Sequence, residues 1–358
     1  METRAGLSIV SIGGGTGLST LLSGLKHYVG RDGALIDKSN PLWVETLTAV
    51  VTVTDDGGSS GRLREEFQIL PPGDIRNCLV ALAEDENLLT RLLQYRFESD
   101  GDLSGHSFGN LFLAALTGVT GDFLEAIKMT SEVLAIKGRI FPSTIEDVTL
   151  VAELEDGRIV RGETKIVESR SRLKRLRLSH NCCRPLPETL EAIKQADIIT
   201  IGPGSLYTSI IPNLLVEPIV ETMQESSALK IYICNIMTQP GETEGFSVED
   251  HLRVLFEYSP RLQLDYVVVN SAPITGAVRE RYLADGAIPV EFKAESSIEE
   301  DESFKRLIAI DRAEDSSVHL IKGDLLNEDN VIRHDPHKLA SLLLEIYRMD
   351  PELQPAML

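Results

Sequence analysis

The chain has 358 residues, of which 42% are hydrophobic and 25% charged, with a formal net charge of −20. That acidity excludes general nucleic-acid binding, which leaves a basic footprint. No run nears the roughly 18 consecutive apolar residues of a membrane span.

Length allows one large α/β domain or a core with a smaller elaboration. Met1 to Arg4 leads at once into an apolar run without a signal-peptide pattern, so a cytoplasmic protein is expected. Cys78, Cys182, Cys183 and Cys234 contain no C-x-x-C spacing, and they are expected to be reduced thiols rather than a zinc site. Strands are predicted at residues 8–12, 47–54, 197–202, 230–235, 265–270 and 288–292. Helices are predicted between them at 18–29, 76–97, 110–116, 123–134 and 248–258, with a final helix at 336–349. Runs such as Ile198-Ile199-Thr200-Ile201 and Tyr266-Val267-Val268-Val269 are apolar almost throughout, as strands covered on both faces are. The alternation predicts a Rossmann-like, doubly wound and mostly parallel sheet.

One stretch departs from it. Residues 147–154 and 158–166 flank an Asp156-Gly157 turn and read as a β-hairpin. With the segment up to Leu178 they form a small β-rich insertion, placed at 140–188 in a single domain of residues 1–345, followed by a tail at 346–358. The cations Arg170, Arg172, Lys174, Arg175 and Arg177 read as the solvent face of a strand, with an acidic partner as the alternative. The acidic stretches 295–302 and 311–315 read as solvated loops, and exposed sheet edges leave a homodimer open.

Polar loops follow four of the strands. Gly13, Gly14, Gly15, Thr16 and Gly17 have the form of a strand–loop–helix phosphate cradle, where glycines admit backbone N–H groups to an anion at a helix N-terminus. Leu18 replaces the third glycine of a dinucleotide fingerprint and no Gly-Lys-Ser/Thr follows, so a turn built for strand–helix packing is the alternative. After the second strand come Asp55 and Asp56, then Ser59 and Ser60 in a glycine-rich loop, then Asp74 and Arg76. The paired aspartates suit a ribose hydroxyl or Mg²⁺, or the cap of a turn. His106 and Asn110 open an apolar helix, where the histidine is a catalytic candidate or a structural hydrogen-bonding group. The third loop holds Gly202, Gly204 and Ser205, followed by Asn213, and is again compatible with phosphate. The fourth, with Asn235, Thr238, Gln239 and Glu242, is dense in groups that suit a sugar or base edge.

These motifs resemble the bacterial gluconeogenesis-factor (YvcK-like) family, related to 2-phospho-L-lactate transferase in the CofD-like superfamily. The likeness is carried by residues 13–17, by Asp-Asp-Gly-Gly-Ser-Ser-Gly-Arg-Leu-Arg at 55–64, and by Pro-Gly-Asp-Ile-Arg-Asn at 72–77. Gly-His-Ser-Phe-Gly-Asn at 105–110, the loops at 202–209 and 235–243, and Arg-His-Asp-Pro at 333–336 extend it. The resemblance implies a Rossmann-like core and a cytoplasmic regulatory protein that binds a nucleotide sugar such as UDP-N-acetylglucosamine. It also implies links to gluconeogenic growth, cell-wall precursor balance and cell shape. The transferase relatives imply nucleotide and metal roles for Gly13 to Gly17, Asp55 and Asp56. If the chain is an enzyme, it is then expected to be a Mg-dependent transferase of phosphorus-containing groups. No deazaflavin-binding insert is evident, and no organic cofactor is implied. An NAD-dependent oxidoreductase is a third reading, weakened by the missing glycine.

Overall fold

Residues with too little polar alternation to face water become the buried strands of one large sheet. The computed structural model describes residues 6–30, 43–84, 88–98, 100–180, 183–293, 305–309, 317–327 and 331–350. The expectations for the N-terminal leader, Cys182 and the acidic stretches at 295–302 and 311–315 lie outside the described residues.

The first half of the chain contributes β1 (Leu7–Gly13), α1 (Gly15–Leu25), β2 (Val44–Val51), α2 (Gly58–Phe67), α3 (Gly73–Leu82), α4 (Leu88–Gln94), α5 (Phe108–Thr120), α6 (Phe123–Val133) and β3 (Arg139–Pro142). The insertion follows with β4 (Leu150–Leu154), β5 (Ile159–Arg161), α7 (Glu163–Glu168) and β6 (Leu173–Leu178). Then come α8 (Pro187–Lys194), β7 (Ile198–Ile201), α9 (Ile211–Leu214), α10 (Ile219–Glu225), β8 (Leu229–Ile233), α11 (Val248–Tyr258), β9 (Tyr266–Asn270) and α12 (Gly276–Ala284). The chain closes with β10 (Lys305–Ala309), β11 (Ser317–Gly323), β12 (Leu326–Asn327), β13 (Arg333–His334) and α13 (Pro336–Met349).

The main sheet has eight strands in the order β10-β11-β9-β8-β7-β1-β2-β3. Only β10 runs antiparallel to its neighbour; the other pairs are parallel, as expected from the alternation. From β1 the chain builds outward through β2 to β3, then returns to the other side of β1 at β7 and builds outward again. The switch point therefore lies between β1 and β7, where Ile9 to Ile12 face Ile198 to Ile201 in register. In such sheets a crevice opens beyond the carboxyl ends of the two diverging strands. The Gly13 and Gly202 loops start there.

Several local expectations are corrected. Residues 76–97 form two helices, because Ala83 leaves helical geometry at ψ 139°. The second arm of the hairpin is short: Gly162, at φ 98°, ends β5 and starts α7. Residues 288–292 are irregular backbone bonded to the Asn235 loop, with Thr238 N donating to Ile288 O at 2.8 Å and Val290 N to Ile236 O at 2.9 Å. Pro289 in that stretch has no N–H for a ladder. Strands β3, β10 and β11 were not anticipated.

The insertion is a three-stranded antiparallel sheet, β5-β4-β6. Helix α13 runs past residue 346, where a tail was expected to begin, and lies on α1. Cys78 and Cys234 are buried free thiols, and Cys183 is buried. Among the described residues, no single helix is long and apolar enough to cross a membrane.

The α1–α13 contact is tight. A Cβ on Gly24 would stand 1.9 Å from the Pro336 carbonyl oxygen and 3.1 Å from Ala340 Cβ. Gly24→Val should therefore cost about 1–3 kcal/mol through overpacking. The measurement is a lower urea midpoint at unchanged slope.

Candidate functional site

The site is assembled from loops that pack on one another's backbones. Gly15 holds φ +61°, and the nearest atom to a Cβ there would be Ser209 Oγ at 3.5 Å, so its Cα side is open. Its neighbours are crowded. A Cβ on Gly14 would meet Thr52 Cγ2 at 2.6 Å and Asp74 Oδ2 at 2.8 Å; on Gly17 it would meet the Pro203 carbonyl oxygen at 2.4 Å. Gly14 at the N-cap has no side chain to cap α1; Asp74 accepts from Gly15 N–H, and the other first-turn N–H groups lack intrahelical acceptors.

Opposite lies the β7 loop, braced from β8. Asn235 accepts from Gly204 N at 3.3 Å and donates to Gly204 O at 2.8 Å, clamping that peptide from both sides. Ser205 Oγ donates to Glu242, and Tyr207 N–H donates to the same carboxylate. Burial pushes the Glu242 carboxyl up from its ordinary range, against these two bonds.

Between the loops is a cavity of about 580 Å³, within the range of small-molecule sites. Of the residues expected from sequence, Gly14, Gly15, Thr16, Gly17, Gly204, Ser205, Asn235, Thr238, Gln239 and Glu242 line it. The walls are completed by Thr208, Ser209, Glu163 from α7, Tyr282 and Asp285 at the end of α12, and Arg333 and His334 from β13. Arg333 is the single Lys or Arg on this lining among the described residues.

The remaining expected residues stand behind the cavity as supports. Asn213 donates to Gly13 O at 3.0 Å and to Ser209 O at 2.7 Å, fixing the strand end to the opposite loop. Gly202, at φ +81°, turns the chain out of β7. Asp55 accepts from Gly57 N at 2.9 Å, and Asp56 accepts from both Thr164 N and Thr164 Oγ1 at 2.9 Å. The second pair ties the β2 loop to the first turn of α7. Ser59 Oγ lies 3.0 Å from His106 Nδ1, and Asn110 Nδ2 donates to Ser60 Oγ at 3.4 Å, which locks the starts of α2 and α5 together. Arg76 donates to Asn77 Oδ1 at 2.6 Å. His106 is therefore placed in a structural contact, with its pKa lowered first by burial. Among the described residues, no three His, Cys, Asp or Glu side chains converge as a metal-ligand set, Asp55 and Asp56 included.

Two groups that sequence reasoning missed matter electrostatically. Glu163 is held well above the carboxylate range, first by burial and then by the charges of Asp55, Asp74, Glu242 and Asp56. His334 is pushed down to about 4 by burial and bonded to the Cys234 backbone, so it is neutral at pH 7. Asp335 and Pro336 are a legible helix start, since Asp335 accepts from His337 N and Lys338 N at 2.9 Å. Nothing local indicated that the two residues before them reach the Gly15 loop.

A mostly parallel sheet with glycine loops and a cavity at its switch point defines a Rossmann-like α/β protein with a ligand-type crevice. Residues 9–307 match the family model described as 2-phospho-L-lactate transferase CofD. The chain is 45% identical over 341 residues to the gluconeogenesis factor of Bacillus subtilis, covering 95% of this chain and 98% of that protein. It is 47% identical over 345 residues to a putative gluconeogenesis factor of Thermotoga maritima, covering 96% and 100%. A crystal structure of a UPF0052-family protein from Bacillus halodurans matches with a TM-score of 0.80 at 42% identity, covering 94% of this chain and 99% of that one. The chain belongs to the CofD family and, within it, to the gluconeogenesis-factor group, as the motif resemblance implied.

Asp74 offers a pH test of the site's construction. Burial, reinforced by the Asp55 charge, pushes its carboxyl up to about 6 from an ordinary 3.8, although Gly15 N–H donates to it. The folded chain thus holds this proton more tightly than the unfolded chain, and stability falls as pH rises from about 4 to about 6. Asp74→Asn keeps an acceptor for Gly15 and removes the titration. Relative to wild type, the variant should gain about 2 kcal/mol across that window, read by urea unfolding at each pH.

Proposed function

We propose that the chain binds a nucleotide sugar of the UDP-N-acetylglucosamine type and acts through it as a cytoplasmic regulator of gluconeogenic growth, cell-wall precursor balance and cell shape. The carrying observation is the cavity of about 580 Å³ between the glycine-rich N-terminus of α1 and the amide-rich Asn235 to Glu242 loop. In this reading the diphosphate lies on the α1 N–H groups with Arg333 as counter-ion, and the 235–242 loop meets the sugar or base. The name borne by the Bacillus subtilis relative supports the metabolic link.

Calorimetric titration with UDP-N-acetylglucosamine, UDP-glucose and unrelated nucleotides tests the reading, and no heat at ~1 mM ligand overturns it. Gly15→Val places a β-branched residue at positive φ against the anion path and should weaken binding at least tenfold, about 1.4 kcal/mol. The magnesium expectation is settled in the same assay by Asp55→Asn and Asp56→Asn. Loss confined to magnesium-containing titrations assigns them the metal; equal affinity in magnesium and in chelator removes it.

A second reading, transfer of a phosphorus-containing group, is favoured by one observation. Glu163 lines the cavity, and burial with the charges of Asp55, Asp74, Glu242 and Asp56 raises its proton affinity, which puts a carboxyl group suited to proton exchange on the cavity wall. An acceptor hydroxyl would give its proton to Glu163, attack the β-phosphorus and displace a nucleoside monophosphate. Release of UMP from UDP-N-acetylglucosamine with an alcohol acceptor, lost in Glu163→Gln, supports transfer; absence of turnover leaves a binder.

A further inference from the structure

Helix α1 has a second polar outlook away from the Gly204 side. Leu18, Leu21, Leu22 and Leu25 are buried beneath it, whereas Thr16, Ser19, Thr20 and Ser23 recur at helical spacing on the other side and lead to Lys26. These face a separate cavity of about 390 Å³, closed by Asn77 of α3, by Arg91 and Gln94 of α4, and by Arg333. Its lining carries three cations, Lys26, Arg91 and Arg333, and no carboxylate. That is notable in a chain with 55 acidic and 35 basic residues. None of the ion pairs among the described residues uses Arg91 or Arg333, and Lys26 Nζ donates to Ala83 O at 2.8 Å.

The hydroxyls define the rest of the ligand. Ser19 and Thr20 donate to Thr16 O at 3.0 and 2.8 Å, and Ser23 donates to Thr20 O at 2.8 Å. Their donors are thus directed into the helix, and their oxygens are left as acceptors toward the cavity. A complementary molecule carries an anionic group for the guanidinium side and hydroxyl donors for the α1 side. We propose that this cavity is a second binding site, for a small polyhydroxylated phosphate or carboxylate. Thr16, Thr20 and Arg333 line both cavities, so the second ligand lies directly beside the first. Lys26, Asn77, Arg91 and Gln94 line the second cavity alone.

The test uses the full chain at low salt, with glucose 6-phosphate and gluconate as probes, and glucose and inorganic phosphate as controls lacking the charge or the hydroxyls. One anionic sugar probe at least should bind with Kd ~1 mM, and both controls at least tenfold more weakly. Arg91→Gln, on an exposed position outside the larger cavity, should weaken that probe about tenfold through loss of a charge-assisted contact. It should leave the UDP-N-acetylglucosamine titration and the thermal midpoint as in wild type. The proposal is overturned if neither probe binds, if inorganic phosphate binds as well as the sugars, or if Arg91→Gln leaves probe affinity unchanged. Because the nucleotide-sugar titration is read separately, its failure and the failure of this proposal are distinguishable.

Discussion

Everything at the switch point depends on how closely the β1 loop can approach the β7 loop. Gly17 sits against the Pro203 carbonyl with no room for a Cβ, and Asn213 spans the two loops by bonding Gly13 O and Ser209 O. Separate them by one methyl group and the cavity loses the wall that Ser205, Thr208 and Ser209 provide. Glycine in this loop thus has two tasks on neighbouring residues. Gly14 and Gly17 admit protein backbone and side chains from behind, while Gly15 turns the chain at positive φ and leaves its front open.

The insertion is attached to the same point through two charged side chains, Arg64 and Asp56. Arg64 of α2 donates from Nε to Asp147 at 2.9 Å and from Nη2 to Val148 O and Thr149 Oγ1. Asp56 holds the first turn of α7, a favourable place for a carboxylate because helix N–H groups there lack partners. Together these contacts bring Glu163 from a β-rich excursion back to the crevice. Burial first, and then the charges of Asp55, Asp74, Glu242 and Asp56, raise the proton affinity of Glu163 on the cavity wall. Arg333 arrives from the far end of the chain as the opposing charge.

The outer wall is built differently. Helix α12 buries none of its residues fully and rests through Val278 and Tyr282 on a small apolar cluster of Ile236, Met237, Ala287, Leu326 and Ile332, separate from the main core. A segment held by so few apolar contacts opens at lower free energy than the sheet beneath it. The inner wall of the cavity is thus rigid and the outer wall lightly anchored.

The parallel sheet was legible in the chain itself, because a strand covered on both faces is mostly apolar, and β1, β7, β8 and β9 are, with Ser8, Ser11, Thr200, Lys230 and Asn270 as their polar members. The glycine loops were legible for the same local reason: they follow those strands directly, and ten of the expected contact residues do line the cavity. Loops that follow distant strands look alike in sequence whether they hold a ligand or another loop. His106, Ser59, Ser60, Asn110 and Asp56 turned out to hold helices together, a role set by partners 47 to 108 residues away. Glu163, Tyr282 and Arg333 show the converse. Their local surroundings are an insertion, an exposed helix and a helix start, and only the crossing of the chain at the β1–β7 switch point brings them to one cavity. Local composition determined which backbone could form a cradle; tertiary contact decided which side chains face it, because that depends on what packs behind each loop.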